Sequence, residues 1–310
     1  MPSPEWLTER GIGETRWALV EGDDIIEARV LLDAVVPAGS IVEARLADAG
    51  RGGRNAVAVA DGEEYLLPGG AAGLAQGAGL SIEVTREAIP GGEAWKRPLA
   101  RPAEAGAGDD PPTARAVDLG PYGWDDLLEE ARSGIVRFAG GELRVFVTPA
   151  MTLVDVDGTL PPQELAVAGA QAAAKAIRRH GIGGSIGIDL PTVAGRAARQ
   201  AIGEAVDALL PKPFERTAVN GFGFLQVVRP RRHASLFELA ADRAAFEARA
   251  LLRRAGREMG AMRIAAHPAV VAVLERRPDW VDALSRQVGG SVGLRPDASL
   301  AMSGGHVEKG

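Results

Sequence analysis

Residues 151–191 read MTLVDVDGTLPPQELAVAGAQAAAKAIRRHGIGGSIGIDLP. In LVDVD the alternation buries Val154 and Val156 and sets Asp155 and Asp157 on the same face of a strand that stops at Gly158. An alanine-rich helix is predicted over 163–180, closed by Gly181, and it returns the chain to a second strand over 185–189. That strand is apolar until it ends in Asp189 and a proline. A strand, a helix and a strand joined by a right-handed crossover lie parallel. Asp155 and Asp189, 34 residues apart in sequence, are thereby brought to the C-terminal ends of nearby strands, where open α/β sheets place their ligands. Two carboxylates with room left for water suit a hard cation, Mg²⁺ or Mn²⁺, that also binds a phosphate substrate. The plainer alternative is that strand-end aspartates cap the next helix or begin a turn.

Outward from this unit the pattern continues as mixed α/β. Before it, a helix is expected over 124–132 and strands over 142–148 and 153–156. After it come a helix over 193–210, a strand over 218–228, and helices over 236–258 and 268–287. The alternation predicts a largely parallel sheet with some antiparallel pairing. Residues 1–100 differ, with short β-prone runs at 16–21, 25–32, 41–46, 56–60, 64–67 and 80–85 between glycines, as in a small barrel. Residues 101–113, RPAEAGAGDDPPT, read as a linker, residues 114–302 as the α/β domain, and 303–310 as a frayed tail.

Composition removes several chemistries. The 310-residue chain has no cysteine, so disulfides, thiolate zinc sites and cysteine nucleophiles are excluded. With 41 acidic and 35 basic residues the net charge is −6, and any nucleic-acid surface must be a local patch. No apolar run is long enough to span a bilayer, and MPSPEWLTERG has no secretory pattern, so no membrane association and a cytoplasmic setting are expected. The glycines of GAGLSIEV and GIGGSIG precede strands rather than open helices, which rules out a phosphate-cradling loop. His180, His233, His267 and His306 are scattered; His180 reads as a helix C-terminal residue and His233 as a candidate for the active-site rim.

Basic residues are concentrated downstream. Residues 229–258 hold eight arginines against four acids. A phosphate track is one reading and a solvated helix face the other. Arg229, Arg231 and Arg232 are expected at a strand end on the same edge as the aspartates, as RNA-binding residues. Tyr65 is the lone candidate in the barrel for base stacking.

From about residue 133 to 300 the chain resembles the catalytic region of the ribonuclease E/G family. GGELRVFVTPAMTLVDVDG is similar to that family's hairpin and metal strand, RRHGIGGSIGIDLP to its second acidic strand, and NGFGFLQVVRPRRHASL to its arginine-rich segment, with HPAVVAVL in the region beyond. GETRWALV is similar to its N-terminal strand. The resemblance implies a DNase I-like/RNase H-like catalytic domain preceded by a small S1/OB-like barrel. It implies a Mg²⁺-dependent endoribonuclease that cleaves single-stranded RNA to 5′-phosphate and 3′-hydroxyl products. Asp155 and Asp189 would be the metal ligands, with Asp157 where the family has a supporting asparagine. Thr192 stands where the family has a further acid, and without a cysteine pair the zinc link that joins family tetramers cannot form, which leaves oligomeric state open. The stretch before Asp155 is too short to add the family's 5′-end sensor.

Two other readings stay open. VDVDGTL also resembles the first motif of haloacid-dehalogenase-like phosphatases, with Asp155 as nucleophile and Asp157 as general acid/base, but that family has a later strand ending in paired acids, and past Lys212 the candidates Glu238 and Asp242 fall inside a predicted helix. A catalytically degenerate RNA-binding relative is the third.

Overall fold

The computed structural model describes residues 3–50, 55–71, 73–90, 96–104 and 113–309. It is a mixed α/β protein with several sheets and a closed five-stranded barrel. The first strands, β1 (Glu5–Arg10), β2 (Glu14–Glu21) and β3 (Asp24–Leu32), form an antiparallel meander. Next, β4 (Ile41–Asp48), β5 (Ala56–Ala60), β6 (Glu63–Leu67), β7 (Gly79–Arg86) and β8 (Leu99–Pro102) close into the barrel. Then β9 (Arg115–Ala116) pairs with β1, so the barrel interrupts a four-stranded sheet ordered β3-β2-β1-β9.

The barrel expected over 1–100 is therefore narrower. Its core of Leu46, Tyr65, Leu67, Ile82 and Val84 is separate, whereas Leu7, Ala18, Ile25 and Val30 belong to the main core. Of the expected linker, residues 101 and 102 close the barrel in β8, and 105–112 lie outside the described residues.

The main sheet begins after α1 (Trp124–Ser133). It comprises β10 (Ile135–Phe138), β11 (Gly141–Val147), β12 (Thr152–Gly158), β13 (Gly184–Asp189), β14 (Glu215–Arg216) and β15 (Phe224–Arg229), in the order β10-β11-β12-β13-β15-β14. Helix α2 (Pro162–Arg179) joins β12 to β13 and α3 (Arg196–Leu209) follows β13. Only β12 and β13 are parallel, so the largely parallel sheet expected from the alternation is instead mostly antiparallel. Hairpins and the short β14 account for this, because neighbours joined by tight turns must run antiparallel.

Helix α2 contacts β3 of one sheet as well as β11 and β12 of the other. Its buried residues are Leu165, Ala166, Gly169, Ala170, Ala173, Ala174, Ala176 and Ile177, and their small size lets two sheets approach one helix. A Cβ at Gly169 would collide with Val156 Cγ1, so glycine is required where helix and strand touch.

The C-terminal third forms a further unit. Helix α4 (Leu236–Ala241) still packs into the main core, while α5 (Arg243–Ala255), α6 (Pro268–Glu275) and α7 (Pro278–Val288) accompany a sheet ordered β17-β16-β18, from β16 (Met262–Ala266), β17 (Val292–Pro296) and β18 (His306–Lys309). The helix expected over 236–258 divides at Asp242, whose side chain accepts a hydrogen bond from the Ala245 N–H and starts α5. The helix expected over 268–287 divides before Pro278, where proline favours a new first turn. The tail expected to fray pairs in part with β16, with His306 opposite Ala265. Among the described residues no helix is long and apolar enough to cross a membrane.

Two stability results follow. Gly169→Val should lower unfolding free energy by about 1–3 kcal/mol in urea denaturation, through overpacking against Val156. Burial holds the His180 imidazole below its usual pKa, and burial followed by the Arg29 charge pushes His233 down to about 4. Both rings stay neutral in the folded chain while the unfolded chain protonates near pH 6.5. The stability they contribute is therefore complete above pH 6.5 and lost as pH falls below it, for His233 down to about 4. Urea midpoints at pH 7.5 and pH 5 should differ in that direction, and His233→Gln should narrow the gap.

Candidate functional site

The main sheet has one covered face and one open face. Leu143, Val145, Val154, Val156, Ile186, Ile188, Leu225 and Val227 are buried in the main core. The alternate residues face the other way, and the strand registers align four of them in one row. Arg144 on β11 lies opposite Asp155 on β12, Asp155 opposite Asp189 on β13, and Asp189 opposite Phe224 on β15. Neighbouring strands lie roughly 4.8 Å apart, so the two carboxylates arise from adjacent backbone positions. Asp157 is one step along the same face, opposite Glu142.

Arg144 is pinned between acids. Its Nη2 donates to Glu142 Oε1 at 2.7 Å, and its Nε lies 4.0 Å from Asp157 Oδ2. Asp155 is half-buried, and its carboxyl is held above the usual carboxylate range. Desolvation is the first cause, then the charges of Asp157 and Asp189; the Val156 N–H and Arg144 oppose them. A cation would relieve this repulsion. Gly187 lies in the next row, flush with the sheet, because a Cβ there would sit 2.5 Å from the Phe224 ring and 3.0 Å from Leu153.

The aspartates do not cap the helices that follow them. α2 begins after Pro161 and α3 after Gly195, neither with a side-chain cap bond. The plain capping role considered for strand-end aspartates is therefore absent. Among the described residues no group of three or more His, Asp or Glu side chains could hold a metal ion. The donor set is the carboxylate pair on the open face, and water and phosphate oxygens would have to fill a cation's remaining positions. That is how Mg²⁺ is commonly held.

The structure separates the arginines from this row. β15 runs antiparallel to β13, which places Arg229 opposite Gly184, five residues from Asp189 and about 17 Å along the strand. The expectation that Arg229, Arg231 and Arg232 share the aspartate edge is therefore corrected: an antiparallel partner exchanges the two ends. Arg229 Nη1 points toward the carbonyls of Ile177 and Ile182, and Arg231 pairs with Glu238. His233 lines a cavity with Arg178 and Arg229 at that far end, and so is no rim residue.

The helix arginines are equally occupied. Arg249 pairs with Glu14 at 3.0 Å, Arg253 with Glu9 and Asp125 at 3.0 and 2.7 Å, and Arg257 with Asp118 at 2.5 Å. Arg254 donates to the Gly305 carbonyl. Tyr65 is 2% exposed and cannot stack on a base. The phosphatase reading loses its later acids, because Glu238 forms a capping box with Ser235 and Asp242 caps α5. Lys212 donates to the Phe214 carbonyl.

Sequence reasoning passed over Arg144, Phe222 and Phe224. Arg144 was legible in the alternation of GELRVFV, and the aromatics in NGFGF just before a strand.

If the pair is a cation site, it is electrostatically strained when bare. Asp155→Asn should therefore raise the thermal midpoint at pH 7 in EDTA. Mg²⁺ should raise the midpoint of the unaltered protein and leave that of the variant almost unchanged. A lower midpoint for Asp155→Asn in EDTA would mark the carboxylate as structural. No protein-family model and no curated protein sequence matches the chain, so its function is argued from this row of side chains.

Proposed function

We propose that the protein is a Mg²⁺-dependent endoribonuclease that cleaves single-stranded RNA to 5′-phosphate and 3′-hydroxyl ends. The observation that supports this best is the row Arg144–Asp155–Asp189–Phe224 on an open sheet face. An open face suits a polymer, which must enter and leave sideways, better than an enclosed small molecule. Asp155 and Asp189 would hold the cation. Bound there, Mg²⁺ would neutralise phosphodiester charge and acidify a water.

The chain's own groups supply the remainder. Asp157 is exposed on the same face and accepts a hydrogen bond from the attacking water, orienting it. Arg144, held in place by Glu142, offers its remaining N–H donors to a non-bridging phosphate oxygen and stabilises charge as it develops. Phe224, whose ring lies over Gly187, gives the end of the row an apolar surface. The same proposal takes the main sheet as the DNase I-like/RNase H-like catalytic unit and the five-stranded barrel as S1-like. The similarity of GGELRVFVTPAMTLVDVDG and RRHGIGGSIGIDLP to ribonuclease E/G segments supports it.

A 5′-labelled single-stranded RNA incubated with Mg²⁺ should yield fragments, and EDTA should abolish them. Asp155→Asn and Asp189→Asn should each lower the rate on the order of 10²–10³-fold or more, with fold retained. Cleavage that survives EDTA or Asp189→Asn would contradict the proposal. Release of p-nitrophenol from its phosphate ester, lost at Asp155 and Asp157, would move the protein to the phosphatases.

A further inference from the structure

A nuclease that loses Arg229, Arg231 and Arg232 as phosphate ligands needs other cations, and the aspartate end of the sheet supplies them. β13 ends at Asp189 and α3 begins seven residues later. There a cavity of about 400 Å³ is lined by Arg196, Arg199, Gln200, Arg216, Ala218 and Val219. Arg196 is exposed and its side chain is unpaired among the described residues. Arg199 makes one long contact, 3.5 Å, to the Val193 carbonyl. Arg216 is fixed by a two-pronged pair with Asp207 at 2.8 and 2.5 Å and forms a rigid wall. No acid lies in the first turn of α3, so Arg196 and Arg199 face the positive end of the helix dipole uncompensated. An anion in the cavity would relieve both effects.

The segment that lines the cavity runs on to an exposed aromatic. Ala218 and Val219 lead into the turn 220–223, where Asn220 Oδ1 accepts hydrogen bonds from the Phe222 and Phe224 N–H groups at 2.9 and 3.0 Å. Thr192 Oγ1 donates to the Phe222 carbonyl at 3.0 Å, and the Leu190 N–H donates to Gly223 O at 3.3 Å. The turn is thus pinned to the loop that leaves Asp189. Phe222 at its tip is 84% exposed. A large flat apolar side chain on a turn pinned to the loop after Asp189, with Ala218 and Val219 of the arginine-lined cavity just before it in the chain, matches what a single strand rounding the end of the sheet needs: a base platform followed by phosphate ligands.

We propose that single-stranded RNA leaves the Asp155–Asp189 row across Phe222, which stacks on a base, and that Arg196 and Arg199 hold the next phosphates in the cavity beside α3, against the wall formed by Arg216. This rests on the nuclease reading and adds the path of the substrate. The cavity takes the strand's phosphates and Phe222 takes a base face of any identity, so the path selects for single strands and not for sequence.

Binding of a fluorescent 12-nucleotide RNA, followed by anisotropy in EDTA over a salt series, tests the path. Each phosphate contact on a single strand contributes a slope of about −0.7 in log affinity against log salt, so Arg196→Gln/Arg199→Gln should flatten the slope by about 1.4. Phe222→Ala should weaken binding roughly 10-fold with the slope unchanged. Arg232→Gln, at the far end of the sheet, should change neither. RNA that is bound and cleaved by the unaltered protein, with the double variant's slope unaltered, would overturn the path and leave the nuclease reading standing. A slope flattened by Arg232→Gln instead would send the strand the other way and also overturn it. No measurable RNA binding by the unaltered protein would overturn both.

Discussion

The parallel register of β12 and β13, which sets Asp155 opposite Asp189, is the constraint on which the rest of the molecule turns. Nothing in local strand preference favours two carboxylates side by side, and like charges directly opposite on a sheet are destabilising. The register is imposed from beneath. Val154, Val156, Ile186 and Ile188 must all face the main core, and a one-residue slip would expose them together. Helix α2 packs on β12 at the close approach its small residues allow, with Gly169 against Val156. Hydrophobic burial thus holds an electrostatic arrangement that would not form by itself. This is the usual relation between a scaffold and a charged site.

Arginine serves two distinct ends here. Arg249 with Glu14 and Arg253 with Glu9 tie α5 to β2 and β1 and so join the C-terminal unit to the first sheet, while Arg16 joins Glu9 and Glu14 within that sheet and Arg257, just past α5, pairs with Asp118. Arg16 and Arg253 have side chains only 2% exposed, so each must keep its carboxylate partners, since an uncompensated buried charge costs several kcal/mol, about 3–5. Beside α3, Arg216 is held by Asp207, whereas Arg196 and Arg199 have no acidic partner among the described residues. One residue type is structural where acids surround it and available where they do not.

That division explains what could be read in advance. Strands β11, β12 and β13 and helix α2 were legible because their apolar periods are strict and their ends are marked by Gly158, Gly181 and Pro191. The Asp155–Asp189 pair was legible from crossover handedness alone. The role of the arginines was not, because a guanidinium fork meets carboxylate and phosphate with the same geometry. Strand β1, EWLTER, hides for a related reason: its Glu9 is satisfied by Arg253, 244 residues away. The last sheet was missed because β16 is short and β18, HVEK, is polar and lies at an edge. Antiparallel pairing of β15 reversed the expected end for Arg229, and no local pattern announces the direction of a partner strand.

Crystals grown with Mn²⁺ test the central claim most directly, through anomalous scattering at the manganese edge. The account predicts one strong peak per chain between the Asp155 and Asp189 carboxylates, lost in Asp189→Asn crystals of the same form. Manganese bound elsewhere while these two carboxylates remain bare would contradict it.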